Sequence, residues 1–120
     1  MGAWLPAGIR ILEQGADSAG LWARLQVEPD SPCFRGHFAG QPILPGIAQL
    51  GMVLGVLASQ GWQRGLIAVR SLKLRRLVGP GEVLELRVGR PSAEGLSLFE
   101  TRAHGEVVAS GAVVTSELGA

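Results

Sequence analysis

One long apolar segment, IAQLGMVLGVLASQ at residues 47–60, places the strongest constraint on the fold of this chain. Its apolar residues continue around nearly the whole helical circumference, a pattern that is typical of a buried helix. Pro45 stands in a favourable first-turn position, and Gly61 ends the segment. A chain of 120 residues, 47% apolar and 18% charged, fits one packed globular domain. We therefore treat residues 1–120 as a single domain that must bury this helix.

The segments on both sides of the predicted helix have the patterns of β-strands. GIRILEQ and GLWARLQVEP, joined by the turn GADSAG, precede it, and GLIAVRSLKLRRL, EVLELRVGR, LSLFETRA and EVVASGAVVTS follow it. In the third strand, strict alternation puts Val69, Ser71, Lys73 and Arg75 on one face and Leu72 and Leu74 on the other. Nothing else in the chain can cover so apolar a helix. The sequence thus predicts an α+β fold with an antiparallel sheet wrapped around one long central helix.

Composition restricts the classes of function. The N-terminus lacks the basic and apolar regions of a signal peptide, and no uninterrupted apolar stretch is long enough to span a bilayer. We therefore expect a cytoplasmic protein with no membrane partner. The single cysteine, Cys33, excludes a multi-cysteine zinc site, and we interpret it as a small buried thiol. No tryptophan has the basic, aromatic-rich context of a nucleic-acid site.

The middle of the chain is locally basic. No acidic residue occurs between Asp30 and Glu82, whereas the segment RSLKLRR at 70–76 contributes Arg70, Lys73, Arg75 and Arg76. A basic strand face is most often simply solvated, but it also suits a partner that has acidic helices.

A histidine, His37, lies in a frame of glycine and proline directly before the predicted helix, in GHFAGQPILPG. This segment resembles the signature GHFPGxPxxPG of the hot-dog-fold 3-hydroxyacyl-acyl carrier protein dehydratases, with Ala39 in place of the customary proline. The LPGIAQL portion is most similar to the branch associated with aryl-polyene and related acyl chains. By element order and length, the resemblance extends over nearly the whole chain. It implies a hot-dog domain that pairs as a homodimer or with a related subunit, and an exposed sheet edge would also favour pairing.

The resemblance also implies an activity, the dehydration of a 3-hydroxyacyl thioester on acyl carrier protein to the trans-2-enoyl product, with no metal or organic cofactor. His37 would remove the α-proton, because a neutral imidazole is a suitable base at neutral pH. The backbone N–H of Gly46, at the helix start, would stabilise the thioester carbonyl oxygen. Phe38 and Pro45 would line the substrate site. The basic residues at 70–76 would dock the carrier protein.

The chain departs from this family at the second catalytic group. The family's helix carboxylate falls fourteen residues after the histidine, and that position is Gly51 here. The nearest polar residue is Gln49, whose amide can hold a water or the substrate hydroxyl but cannot donate a proton as an acid. Three explanations stay open. His37 transfers the proton alone or through a water, a carboxylate from another segment or a partner chain takes the position, or the site binds acyl thioesters without dehydrating them.

Gly51 and Gly55 are four residues apart and share one face of the predicted helix. This face either packs closely against a neighbouring element or, as our hypothesis, widens a tunnel for an acyl chain. Two alternative functions remain. One is a hot-dog thioesterase, which commonly needs a helix carboxylate too, and the other is a non-catalytic subunit that binds acyl chains or completes a heterodimer. His104, in RAHGEV, is interpreted as a solvated turn residue.

Overall fold

The computed structural model of the chain describes residues 5–32, 46–61 and 64–117, and at positions 47, 64 and 117 it describes the backbone only. The elements are β1 (Ile9–Asp17), β2 (Gly20–Val27), α1 (Gly46–Ser59), β3 (Arg64–Leu74), β4 (Val83–Gly89), β5 (Leu96–Ala103) and β6 (Glu106–Glu117). Over these residues, the predicted order of two strands, one helix and four strands is confirmed. No helix in the described part of the chain is long and apolar enough to cross a membrane.

The six strands form one antiparallel sheet in the order β1-β2-β4-β5-β6-β3. The β1–β2 hairpin is tighter than the sequence predicts, because the Asp17 carboxylate accepts hydrogen bonds from the backbone N–H groups of Ala19 at 2.9 Å and Gly20 at 3.2 Å. Strand β3, which follows the helix in sequence, lies at the far edge of the sheet beside β6. The chain thus passes from the helix directly into an edge strand of the sheet.

Helix α1 packs against one face of the sheet and contacts β2 and β3. Its buried side chains Met52, Val53, Val56 and Leu57 belong to the main hydrophobic core together with strand residues such as Leu25. Burial of each such side chain stabilises the fold by about 1.5–3 kcal/mol. The prediction that this helix is buried is therefore confirmed.

Strand β3 does not alternate regularly. Arg70 pairs with Ala112 and Lys73 pairs with Ser110, with a register shift between the two pairs. Ala112 and Ser110 are two residues apart on β6 and point to the same side, so their partners on β3 also point to that side. The predicted strict alternation, under which Arg70 and Lys73 would lie on opposite faces, is therefore wrong. We call the side of the sheet that carries them, away from the helix, the outer face.

A β-bulge accounts for this change of face. Ser71 and Leu72 together lie opposite the single residue Gly111, and Ser71 has a positive φ of 55°. A Cβ atom on Gly111 would lie 3.1 Å from the Leu72 Cα atom, so glycine leaves the space that the extra residue needs. The bulge thus depends on residues of two strands that are far apart in sequence.

Candidate functional site

The start of helix α1 lies close to the end of strand β3. A Cβ atom on Gly46 would lie 3.1 Å from the Cδ1 atom of Leu74, so a larger residue at the first helical position would displace that leucine. The first N–H groups of a helix have no partner within the helix, and the helix dipole adds partial positive charge there. No acidic side chain lies in the first turn to compensate it. The helix start can therefore stabilise a carbonyl oxygen that gains negative charge.

Gln49 is the polar group of this helix with unusual surroundings. The residue is only 4% exposed, and its Oε1 atom is buried without a hydrogen-bond partner in the described part of the chain. Leaving a buried acceptor unpaired costs about 1–3 kcal/mol. An acceptor in this state points to a donor from outside the described residues, such as a ligand. The role of Gln49 as an orienting group stays a prediction.

The two helical glycines have different surroundings. Gly51 is half-buried. Gly55 faces the N-terminal segment, where a Cβ atom would lie 3.0 Å from Leu5 Cβ and 3.1 Å from Leu5 Cα. The space beside Gly55 is thus occupied by the chain itself. Close packing explains this glycine, and the tunnel hypothesis gains no support there.

Three predicted site residues, His37, Phe38 and Pro45, lie outside the described residues, as does Cys33. Their roles stay predictions. His104 is exposed at the tip of the β5–β6 hairpin with a φ of 52°, which confirms its interpretation as a turn residue.

The predicted docking residues fall into two groups. Arg70, Lys73 and Arg75 line a groove on the outer face, with a volume of about 650 Å³. Arg76 instead forms a two-pronged contact with Glu82, with Nη2–Oε1 at 2.7 Å and Nη1–Oε2 at 3.3 Å. The backbone N–H of Gly79 also donates to Glu82 Oε2 at 2.7 Å. The structure thus assigns Arg76 to the loop after β3 rather than to the groove.

This network changes the electrostatics of the loop. The hydrogen bond that Arg76 donates to the Glu82 carboxylate lowers the pKa of Glu82, and the hydrogen bond from the Gly79 N–H lowers it further. The same contact raises the pKa of Arg76. Both side chains are partly buried, so the pair is better protected from solvent screening than fully exposed pairs are.

Comparison with known proteins places this chain in a family. The model of the ApeI-like family, described as ApeI dehydratase, matches residues 13–112. The chain belongs to the ApeI-like dehydratase family. The 3-hydroxyacyl-[acyl-carrier-protein] dehydratase FabZ of Jannaschia sp. (strain CCS1) is 38% identical over 72% of this chain. FabZ of Xanthomonas euvesicatoria pv. vesicatoria (strain 85-10) is 31% identical over 88% of this chain and 78% of its own length.

The match spans only part of the length of several of these relatives. It spans 60% of the Jannaschia protein and 53% of FabZ from Latilactobacillus sakei subsp. sakei (strain 23K). Among solved structures, an uncharacterized protein from Erwinia carotovora subsp. atroseptica has 25% identity and a TM-score of 0.78, covering 92% of this chain and 97% of its own. The dehydratase heterocomplex ApeI:P from Xenorhabdus doucetiae has 21% identity and a TM-score of 0.80, with 89% and 96% covered. The hot-dog fold is confirmed.

Sequence reasoning missed several residues around the groove of this ApeI-like chain. Arg87, Leu98 and Ser110 also line it. Alternation in EVLELRVGR could have put Arg87 on the outer face, since the buried residues Leu86 and Val88 flank it. Which strands lie beside one another, and in which register, could not be read from the sequence. The sequence alone therefore showed only the basic residues at 70–76 and gave no sign of a groove.

Proposed function

We propose that this chain, paired with a second subunit, dehydrates a 3-hydroxyacyl thioester on acyl carrier protein to the trans-2-enoyl product. It would act in the cytoplasm, without a metal or organic cofactor. The observation that carries the proposal is the buried Oε1 atom of Gln49, which has no hydrogen-bond partner among the described residues and lies three residues into the helix that begins at Gly46. A ligand with both a carbonyl acceptor and a hydroxyl donor matches these two features. The FabZ relatives support the choice of a 3-hydroxyacyl group.

The chemistry requires two proton transfers and no other reactant. His37 removes the proton from the α-carbon while the thioester carbonyl oxygen takes up negative charge at the helix start. The bond between the β-carbon and the hydroxyl oxygen then breaks, the double bond forms, and the proton leaves with the hydroxyl group as water. The Gln49 oxygen accepts a hydrogen bond from the substrate hydroxyl and thereby orients it. Because the proton taken by His37 can be returned to the leaving hydroxyl, the reaction balances without a carboxylate.

A second subunit is part of the proposal because β3 is an edge strand with exposed apolar side chains. Ile67 is 64% exposed, and Leu66, Leu72 and Leu74 on the same strand are exposed as well. An open edge of this kind favours pairing with another strand. The dehydratase heterocomplex ApeI:P supports a related subunit as the partner, and a second copy of this chain is the alternative.

A second candidate function is a non-catalytic subunit that binds the acyl chain and completes a heterodimer. Gly51 favours it, because this residue stands where the resemblance places the family's carboxylate. A partner with a carboxylate at the corresponding position would then carry the reaction.

Mass spectrometry of 3-hydroxyacyl carrier proteins of several chain lengths tests the main proposal. The purified protein should remove the mass of one water molecule from at least one substrate, and His37→Ala should abolish the loss. A folded wild-type protein that removes water from none of them would contradict catalysis by this chain alone. Recovery of the activity on adding a related subunit would then favour the second candidate.

A further inference from the structure

A row of mostly small residues crosses the outer face of the sheet. It begins with Gly20 and Gly89, which pair with each other, and continues through Leu98, Ala112 and Arg70. Each residue lies on a different strand, so the row crosses four strand spacings of about 4.8 Å, or about 19 Å in all. All five line the groove of about 650 Å³. We call this surface the outer groove.

Gly89 keeps the floor of the outer groove low, although packing does not require a glycine there. Arg87 is exposed and Val88 is buried, so alternation puts position 89 on the outer face. A Cβ atom at Gly89 would lie 3.6 Å from the Leu98 carbonyl oxygen, which is an ordinary contact distance. Glycine weakens a strand and often marks a place where a ligand or another backbone approaches closely. The open floor at Gly89 therefore favours a bound group.

Positive charge is concentrated at one end of the outer groove. Arg70, Lys73 and Arg75 lie on β3 or just after it, and they form no ion pair with any residue that the structure describes. Arg87, which lines the groove further along, is paired with Asp17 at 3.0 Å. A ligand with a single anionic end would thus find its cations beside β3.

The middle of the outer groove is apolar. Leu98 is 66% exposed, and only the small residue Ala112 separates it from Arg70 along the row. The acidic residue in the lining, Glu100, is paired with Arg102 at 2.6 Å. An apolar chain that lay along the row would remove the leucine from water and would meet no free negative charge.

We propose that the outer groove binds a fatty carboxylate, with the carboxylate at Arg70 and Lys73 and the alkyl chain across Leu98 towards Gly89. A guanidinium group and a carboxylate match in geometry and charge. An inorganic anion would leave Leu98 exposed. An acidic peptide or a nucleic acid would carry negative charge along the whole groove, where Arg87 is already paired. A flat bilayer surface would not reach the floor at Gly89.

This site is separate from the proposed thioester site at the start of helix α1. The helix and its contact between Gly46 and Leu74 lie on one side of the sheet, and the outer groove lies on the other. Binding in the groove is therefore independent of dehydration, and its test needs no turnover.

Calorimetry of the whole protein with dodecanoate, below the concentration at which it forms micelles, tests the proposal. Acetate, which carries the charge without the chain, should bind at least about tenfold more weakly. Arg70→Gln with Lys73→Gln should weaken dodecanoate binding at least about tenfold and reduce its salt dependence. Arg10→Gln with Arg24→Gln, a control on β1 and β2 with the same change in net charge, should alter it by less than about twofold. Equal weakening in the two double variants would overturn the proposal.

Two further variants test the shape of the groove without a change in charge. Gly89→Val fills the floor and should weaken dodecanoate binding at least about tenfold. Leu98→Ser removes an exposed apolar contact and should weaken it about threefold to tenfold, and this variant decides if Gly89→Val fails to fold. Unchanged affinity in the folded variants would place dodecanoate at the thioester site and overturn the proposal. Binding to phosphatidylglycerol vesicles without binding to dodecanoate would overturn it as well.

Discussion

Gly46, the first residue of helix α1, lies against Leu74, the last residue of strand β3, so closely that a Cβ atom at position 46 would be 3.1 Å from the leucine Cδ1 atom. The proposed carbonyl site and the open edge of the sheet therefore meet at one contact. Leu74 is itself 52% exposed in the single chain. A partner strand along β3 would cover this leucine, which makes the helix start sensitive to pairing.

The buried oxygen of Gln49, which finds no hydrogen-bond donor in the part of the chain that the structure describes, predicts opposite effects on stability and activity. Gln49→Met removes a buried acceptor and keeps the side-chain volume, so the free energy of unfolding without ligand should rise by about 1 kcal/mol. Turnover of the thioester should fall. Gln60→Met is the matched control, because the Gln60 Nε2 atom donates to the Gly15 carbonyl at 2.7 Å, and its loss should lower stability instead. Urea unfolding and steady-state kinetics measure both effects. A Gln49→Met protein with unchanged kcat would contradict the proposed role.

Restoring a carboxylate at position 51 should raise the activity. Gly51 is half-buried and stands where the resemblance places the family's acid. General acid catalysis contributes about 10²-fold or more to the rate. Gly51→Glu should therefore accelerate dehydration of a pantetheine-linked substrate, and Gly51→Gln, of nearly the same size, should not. Equal rates in the two folded variants would argue that His37 and Gln49 suffice, or that the site does not dehydrate.

The contact between Arg76 and Glu82 predicts a pH dependence of stability. The pKa of Glu82 lies below its ordinary value of 4.5, mainly through the hydrogen bond from Arg76. Because the folded protein holds the carboxylate more strongly than the unfolded chain, the contribution is complete above that ordinary value and is lost as the pH falls through the lowered one. Glu82→Gln should lower the free energy of unfolding at neutral pH by about 1.5–3 kcal/mol. The free energy of unfolding of this variant should also fall less steeply than that of the wild type as the pH becomes acidic.

Glu13→Gln is the control for this measurement. Glu13 pairs with Arg24 at 3.1 Å, but both side chains are about half exposed. Its loss should cost less than about 1 kcal/mol. Denaturant titrations of both variants between neutral and acidic pH measure the difference. An equal cost for the two substitutions would show that the Glu82 network does not stabilise the loop after β3.

The exposed apolar edge of β3 predicts self-association or association with a related chain. Ile67→Lys should weaken pairing through this edge, since it puts a charge on a side chain that a partner would bury. Analytical ultracentrifugation over a range of concentrations measures the change. Leu98→Lys is the control, because Leu98 is as exposed but lies on an inner strand of the sheet. Dissociation by Leu98→Lys alone would place the subunit contact on the outer face.

Local patterns in the sequence predicted the elements of this fold well. Alternation in LSLFETRA gives the bounds of β5 at Leu96 and Ala103, and the apolar run gives the helix. The bulge at Ser71 could not be predicted, because it depends on the absence of a side chain at Gly111, forty residues later. The sequence singled out Gln49 as the polar residue nearest to Gly51, but its burial, and the lack of a partner for its oxygen within the described ranges, are properties of the packed helix. Likewise, the separation of Arg76 from the other cations depends on where the following loop places Glu82.

The contact between Leu5 and Gly55 has a consequence for how substrate size could be set in this protein. The middle of the helix is covered by a residue more than thirty positions before the histidine motif. An acyl chain that ran along the face of Gly51 and Gly55 would be blocked by the side chain of Leu5. The N-terminal segment would then set the length of acyl chain that the site accepts. A substitution in this segment could change that length without any change in the histidine motif.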